Sequence, residues 1–270
     1  MCLVETVTVV GIGADGWAGL AEPGRAAVRT AEVVLGGPRQ LDLVAGHTKA
    51  DARPWPSPML PALPGLFAEL ADRRVCVLAS GDPLFHGIGA TLARVLGPER
   101  LHVLPHPSSV SLACARMGWP VDAVEVVSTV ARPLARVRRV LASDARVLVL
   151  SEDAGTPAAL AALLTDAGYG GSAMTVLARL GGPDERRVDG TAAPGAVGGT
   201  AGCWSGTASP RGAVVPVVGV MHMRPDTTDK TIARTRPATE KSSAAGRRGG
   251  GTGRRRGAGL IDAAPGAWAR

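Results

Sequence analysis

The sequence predicts an α/β protein built as two domains, and three observations predict it. Short β-branched runs alternate with helical stretches, the pattern of a mostly parallel sheet covered by helices. Two of these runs end directly in glycine-rich loops: Gly11-Ile-Gly-Ala-Asp-Gly16 follows Val7-Thr-Val-Val10, and Ser80-Gly-Asp-Pro-Leu-Phe-His-Gly-Ile-Gly89 follows Val75-Cys-Val-Leu-Ala79. A proline-flanked junction, Pro105-His-Pro107, then separates this set of elements from a second one. With 46% hydrophobic and only 3% aromatic residues among 270, the chain can bury a sizeable core, and that core must be aliphatic.

The first domain, residues 1–105, reads as strands over 6–10, 33–35, 75–79 and 101–104. Between the second and third lies Pro54-Trp-Pro-Ser-Pro58, followed by Pro61 and Pro64. So many missing amide donors predict an irregular loop bordering a cleft. After the junction, Ser108-Ser109 is placed to cap a helix over 110–117. The second domain, residues 106–193, continues with strands over 124–127, 147–150 and 174–177 and a helix from Pro133 to about Ser143. Another helix opens at Thr156-Pro157, with Thr as N-cap and Pro at the first helical position, and closes at Gly168. Residues 194–270 are rich in Gly, Arg, Pro, Ser and Thr and include Arg247-Arg-Gly-Gly-Gly-Thr-Gly-Arg-Arg-Arg-Gly257. Only residues 213–220 have strand character there, and Pro216 interrupts them, so the tail is expected to be disordered, the alternative being that residues 213–220 supply a closing strand to the second sheet. Its composition is also that of a high-GC gene translated out of frame.

The formal charge of +7 is unevenly placed. Residues 1–194 carry 18 Lys plus Arg against 19 Asp plus Glu, whereas residues 195–270 carry 12 against 4. An arginine-glycine tail binds RNA without sequence preference, which makes a nucleic-acid binder one alternative; the near-neutral domains offer no specific nucleic-acid surface. Cys2, Cys76, Cys114 and Cys203 form neither a metal-ligand spacing nor a disulfide framework, so no metal is expected. Cys76 and Cys114 sit in apolar runs and read as core. No basic leader and no membrane-length apolar run are present, and a cytoplasmic protein is expected.

Glycine after a strand lets the main chain turn at positive φ and lets a ligand approach closely. In an open parallel sheet, two such loops at carboxyl ends face one crevice. The first loop matches G-x-G-x-x-G, so a nicotinamide-type dinucleotide site and an oxidoreductase are a second alternative. That reading requires an acid at the end of the second strand, about 20 residues on, to hold the ribose. The strand ends in Gly36-Gly37-Pro38 instead, and Glu32 precedes it.

Taken together, the motifs resemble the tetrapyrrole methylase family. The resemblance runs in order through Val-Val-Gly-Ile-Gly-Ala-Asp-Gly16, Ala31-Glu-Val-Val-Leu-Gly-Gly-Pro-Arg39, Trp55-Pro-Ser-Pro58, Ala79-Ser-Gly-Asp-Pro-Leu-Phe-His-Gly87, Pro107-Ser-Ser-Val-Ser-Leu-Ala113, Met117-Gly-Trp-Pro120 and Leu180-Gly-Gly-Pro-Asp-Glu-Arg186. It implies a two-domain fold, with a mostly parallel first sheet and a mixed second domain, that binds S-adenosyl-L-methionine between the domains as a homodimer. The branch it resembles methylates a corrin-ring precursor of the precorrin-6Y type at carbon 5 in cobalamin biosynthesis. Carried over, the cofactor-binding residues are Ile12, Gly13, Gly81, Asp82, Phe85, Ser109, Val110, Leu150 and Ala178. The tetrapyrrole substrate is a polyanion that calls for arginine forks, and Arg39, Arg53 and Arg132, with His86, lie beside cleft-forming loops. No catalytic base is assigned. The chain departs from the family at Ser128-Thr-Val-Ala-Arg132, where relatives read Ser-Leu-His-Gly-Arg, and at Thr191-Ala-Ala193, where the pattern stops before a closing strand. A carbon-15 decarboxylating domain, fused in some relatives, is expected on a separate methyltransferase.

Overall fold

In the computed structural model, residues 6–193 and 217–225 are described. The first sheet is parallel throughout: β1 (Val7–Ile12), β2 (Val33–Gly36), β3 (Asp51–Pro54), β4 (Val75–Ser80) and β5 (Leu101–Leu104) lie in the order β3-β2-β4-β1-β5. β1 and β4 are neighbours, with Val9 opposite Val77 and Ile12 opposite Ser80, so their carboxyl ends stand side by side. Helices cover both faces. Val9, Val33, Leu35 and Val77 pack against Leu63 and Phe67 of α4 (Met59–Glu69) and Leu92 of α5 (Ile88–Leu96). The alternate residues Val10, Val34 and Leu78, together with Ile12, pack on the other side against Val28 of α2 (Glu22–Thr30) and Val44 of α3 (Pro38–Val44). A four-residue helix, α1 (Gly16–Gly19), leads from the first glycine loop into α2. Cys76 belongs to this core, where burial pushes its thiol up to about 12.

The proline-rich segment corrects an expectation. Pro54 ends the edge strand β3, but Pro61 and Pro64 lie inside α4. Pro61 is in the first turn, where the amide has no intrahelical acceptor in any case, and only Pro64 forfeits a helical hydrogen bond. Leu63 and Phe67, one turn apart and both buried, hold the helix to the sheet.

α6 (Ser109–Met117) follows the junction, with Ser108 as its N-cap accepting from the Ser111 amide at 3.1 Å, as its sequence predicts. Beyond it, β6 (Glu125–Ser128), β7 (Arg146–Leu150), β8 (Ala173–Ala178), β9 (Arg186–Thr191) and β10 (Val217–His222) form a mixed sheet ordered β6-β7-β10-β8-β9. The helix predicted from Pro133 is a short 3-10 segment over Leu134–Val140. Leu134, Val137 and Val140 recur every three residues, and all three face the core at that period. α7 (Thr156–Asp166) starts one residue earlier than expected, with Thr156 as its first residue and Gly155 at the N-cap. Asp153, two residues before that cap, accepts at Oδ1 from the Gly155 amide at 3.0 Å, the Thr156 amide at 2.8 Å and the Thr156 hydroxyl at 2.9 Å.

The largest correction concerns the closing strand. β10 lies in the segment expected to be a disordered tail, yet it is the centre of the second sheet, antiparallel to β7 on one side and β8 on the other. It begins one residue after Pro216 and so contains no proline to break its ladders. Val220, Met221 and Met223 are at most 1% exposed. The remaining tail, 194–216 and 226–270, lies outside the described residues and includes the arginine-rich run 247–256 and Cys203. Among the described residues no helix is long and apolar enough to cross a membrane.

A chain ended at Ala193 should therefore lose the cooperative unfolding of the second sheet, because β7 and β8 are left with unpaired facing edges. Within the full chain, Met221→Ala should cost about 2 to 5 kcal/mol as a buried large-to-small change. Urea unfolding followed by circular dichroism reads both, and native-like stability of either variant would show that β10 is dispensable.

Candidate functional site

The site is built where the ends of β1 and β4 meet the junction before α6. The Gly81 amide donates to the Ile12 carbonyl at 3.0 Å, joining the two glycine loops main chain to main chain. A Cβ on Gly11 would lie 2.1 Å from the Gly81 carbonyl oxygen and 2.7 Å from the His106 amide nitrogen, so no side chain fits there. Gly81 takes φ +59°, and a Cβ on it would stand 3.2 Å from the Ser108 Cα. Three segments distant in sequence thus touch through backbone alone. Gln40 of α3 adds a fourth, its Nε2 donating to the Ser80 hydroxyl at 2.6 Å.

A cavity opens at this meeting point. Ile12, Gly13 and Ala14 line it from the first loop, Ser80 and Gly81 from the second, Pro107, Ser109 and Leu112 from the junction and α6, and Arg39, Arg179 and Leu180 from α3 and the end of β8. None of its lining side chains is acidic, and two are guanidinium groups. Burial, and then the charge of Arg179, depress the Arg39 pKa from its ordinary value. A second hollow of about 470 Å³ adjoins the cavity, sharing Gly13, Ala14, Pro107, Leu112 and Leu180. Its walls are mainly apolar, with Asp15 and His106 as the acid and the imidazole. His106 Nε2 stands 3.4 Å from Asp15 Oδ1, a buried oxygen that makes no hydrogen bond.

The wall contributed by the segment after β8 is held by charge. Arg179 takes φ +54°, a strained value for a residue with a Cβ, and pairs with Asp184 at 2.9 Å. Glu185 receives both fork nitrogens of Arg116 from α6, one of them at 2.9 Å, and the Gly181 amide at 2.8 Å. These donors, Arg116 first, hold its carboxyl below the usual glutamate range.

Of the residues assigned to cofactor binding from sequence, Ile12, Gly13, Gly81 and Ser109 line the cavity. Asp82 and Phe85 line neither hollow. Asp82 Oδ1 accepts the Leu84 amide at 2.8 Å as a local turn, and Phe85 is 41% exposed, edge-to-face with His86 at 4.8 Å. Val110 and Ala178 are buried in the core clusters of the second domain, and Leu150 packs against one of them. Among the residues assigned to the substrate, Arg39 lines the cavity. Arg53 lines neither hollow; it is engaged by Asp51 at 2.6 Å and Glu69 at 3.0 Å on the sheet edge. His86 has its pKa depressed by burial first and then by Arg132 and Arg136, which brings Arg132 near the second glycine loop. Arg179 and Leu180 were missed as site residues; the Leu180-Gly-Gly-Pro segment was the available signal. Glu32, the acid at the wrong end of β2 for a dinucleotide ribose, accepts the Arg74 amide at 3.0 Å, remote from the loop ends.

A family profile described as Tetrapyrrole (Corrin/Porphyrin) Methylases matches residues 6–194. The chain is 54% identical over 187 residues to a Mycobacterium tuberculosis protein named precorrin-6Y C(5,15)-methyltransferase [decarboxylating], covering 69% of this chain and 46% of that protein. It therefore spans about half the length of this relative. It is 29% identical over 180 residues to the cobalt-precorrin-7 C(5)-methyltransferase of Salmonella typhimurium, covering 67% of this chain and 88% of that one. A solved structure of uroporphyrin-III C-methyltransferase from Thermus thermophilus, complexed with S-adenosylhomocysteine, superposes with a TM-score of 0.57 at 20% identity, over 80% of this chain and 92% of that chain.

The Glu185 clasp yields a pH prediction. A carboxyl depressed in the folded state contributes stability that is fully present above the ordinary glutamate value of about 4.3 and is lost as pH falls through the lower, folded value. Thermal midpoints measured on acidification should fall more steeply for the native chain than for Glu185→Gln. Equal slopes would mean that the clasp does not form in solution.

Proposed function

The chain belongs to the tetrapyrrole (corrin/porphyrin) methylases, and from that membership we propose that it is an S-adenosyl-L-methionine-dependent C-methyltransferase acting on a corrin-ring precursor of the precorrin-6Y type, at carbon 5, in cobalamin biosynthesis. The observation that carries the proposal is the junction of the two glycine loops, where Gly11 lets the loops close on each other and Gly13 and Gly81 leave main chain instead of side chain facing a cavity at adjacent strand ends. The cavity alone is about 80 Å³, too small for a nucleoside joined to an amino acid, so such a ligand would extend from it into the adjoining hollow of about 470 Å³. There it would meet backbone at close approach, the Ser109 hydroxyl, apolar contacts from Ile12 and Leu112, and positive charge from Arg39 and Arg179.

The donor's sulfonium supplies an already activated methyl group. The chain's own contribution is placement, and alignment of two bound reactants accounts for much of a rate enhancement of this type. Ile12, Gly13 and Gly81 form the floor. Ser109, fixed on the first turn of a capped helix, and Leu112 form one side, and Arg179 and Leu180 form the other. Arg132 and His86, on neighbouring loops, extend the positive surface towards a polyanionic ring. Similarity to the C(5) enzyme over most of its length supports carbon 5 as the position, leaving the carbon-15 decarboxylation to a separate methyltransferase. The same reading carries a cytoplasmic homodimer.

An oxidoreductase reading fares worse because Glu32 stays at the amino end of β2. Calorimetric titration with S-adenosylhomocysteine, NADH and single-stranded RNA separates the three classes. S-adenosylhomocysteine should bind, and Gly13→Val should weaken it at least tenfold, because a Cβ there meets Asp15 Oδ1 at 2.5 Å and His106 Nε2 at 2.6 Å. Binding of NADH without S-adenosylhomocysteine would overturn the proposal.

A further inference from the structure

Arg39 is the least compensated charge at the site. It is half-buried on the first turn of α3 and, among the described residues, its guanidinium makes no hydrogen bond and no ion pair. The other charged group on the cavity wall is Arg179, also a cation, and no acid lines the space between them. Two arginines of the surrounding walls have carboxylate partners: Arg116 has Glu185, and Arg179 itself has Asp184 at 2.9 Å. A cation that is partly removed from water, repelled by a second cation and left without a carboxylate destabilises the fold unless something else answers it.

We propose that Arg39 and Arg179 form a two-armed receptor for one carboxylate of a bound ligand, resting on the methyltransferase reading for the ligand's identity. The arms come from different domains, Arg39 from the helix after β2 and Arg179 from the turn after β8, so a carboxylate held by both bridges the two sheets across the cavity. Arginine forks suit a carboxylate because two N–H donors meet two oxygens in parallel. The left-handed backbone of Arg179 and its single-armed contact with Asp184 through Nη1 keep the residue on the wall while leaving its other nitrogens free of a described partner. Two carboxylates within the proposed reaction have this chemistry: that of the donor's methionine moiety, and an acetate or propionate arm of the ring.

The experiment compares Arg39→Gln, Arg39→Lys and Arg179→Gln with the native full chain. Three probes are titrated by calorimetry: S-adenosylhomocysteine; 5′-methylthioadenosine, which keeps the nucleoside but lacks the amino-acid end; and uroporphyrin, a tetrapyrrole polycarboxylate. Tenfold or greater loss of S-adenosylhomocysteine affinity in Arg39→Gln and Arg179→Gln, with 5′-methylthioadenosine unchanged, assigns the receptor to the donor carboxylate. Unchanged S-adenosylhomocysteine with tenfold weaker uroporphyrin assigns it to the ring. Arg39→Lys should retain part of the lost affinity in either case. In the absence of ligand, Arg39→Gln should melt no lower than the native chain, because it removes an unanswered charge; a lower midpoint would mark Arg39 as a structural residue and overturn the proposal. Unchanged affinity for all three probes in both glutamine variants would overturn it as well. A native chain that binds uroporphyrin but not S-adenosylhomocysteine would instead sink the methyltransferase reading, and the uroporphyrin arm would still decide the receptor.

Discussion

The hydrogen bond from the Gly81 amide to the Ile12 carbonyl is the contact on which the rest of the site depends. It exists because β1 and β4 are neighbours in the sheet although more than sixty residues separate them in sequence, so two loops that continue neighbouring strands run out side by side. Any Cβ at Gly11 would force them apart, since the obstacle is the opposing main chain and a rotamer change cannot relieve it. The junction before α6 then packs on the same point, and Ser108 both approaches Gly81 and caps the helix that presents Ser109. One backbone contact sets the loop spacing, the helix position and the cavity floor together.

Charge is distributed around this floor in a way that packing alone does not require. Exposed ion pairs contribute little to stability, typically about 0 to 1 kcal/mol each, and the molecule has several of them. At the cavity the pairing stops. Arg39 is left without an acid, and Asp15 Oδ1, at the adjoining hollow, is buried without a hydrogen bond. Both groups flank Gly13, the residue at which main chain stands between the two hollows. A buried polar atom without a partner beside a cavity is one place where a bound ligand can supply it, although Arg100 Nε, which lines neither hollow, is buried without a hydrogen bond as well.

The sequence made the first sheet and its loops legible because the signals were local: an apolar run, then glycines, then a capped helix. Ser108 is such a case, with its acceptor three residues away. What stayed hidden depended on partners elsewhere in the chain. Pro61 and Pro64 read as breakers until Leu63 and Phe67 are seen buried against the sheet. Thr156 falls inside α7 and Asp153 meets the donors at its start, because the turn before α7 folds its carboxylate back onto the Gly155 and Thr156 amides and the Thr156 hydroxyl. Arg179 is marked in one dimension only by the Leu180-Gly-Gly-Pro segment beside it; its meaning arises from its sharing a cavity wall with Arg39 and from the missing acid in that lining. Asp82, assigned from its motif, spends its carboxylate on its own turn.

β10 carries this furthest. Its apolar run has strand character, but it is interrupted by Pro216 and sits in polar, glycine-rich surroundings, so the local signal does not decide between strand and coil. Pairing on both edges does: Gly219 lies opposite Val149 on one side and Val176 on the other, and Met223 beyond it donates its amide to the Ala145 carbonyl. The strand also reaches the site, because Val217 pairs with Ala178, the residue immediately before Arg179. The backbone immediately before Arg179 is therefore anchored from both sides, by β9 through Arg186 and by β10 through Val217. A cavity whose floor is set within the first hundred residues thus has one wall whose position depends on a strand more than two hundred residues into the chain. Loss of that strand would be felt at the arginine pair as well as in the core beneath it.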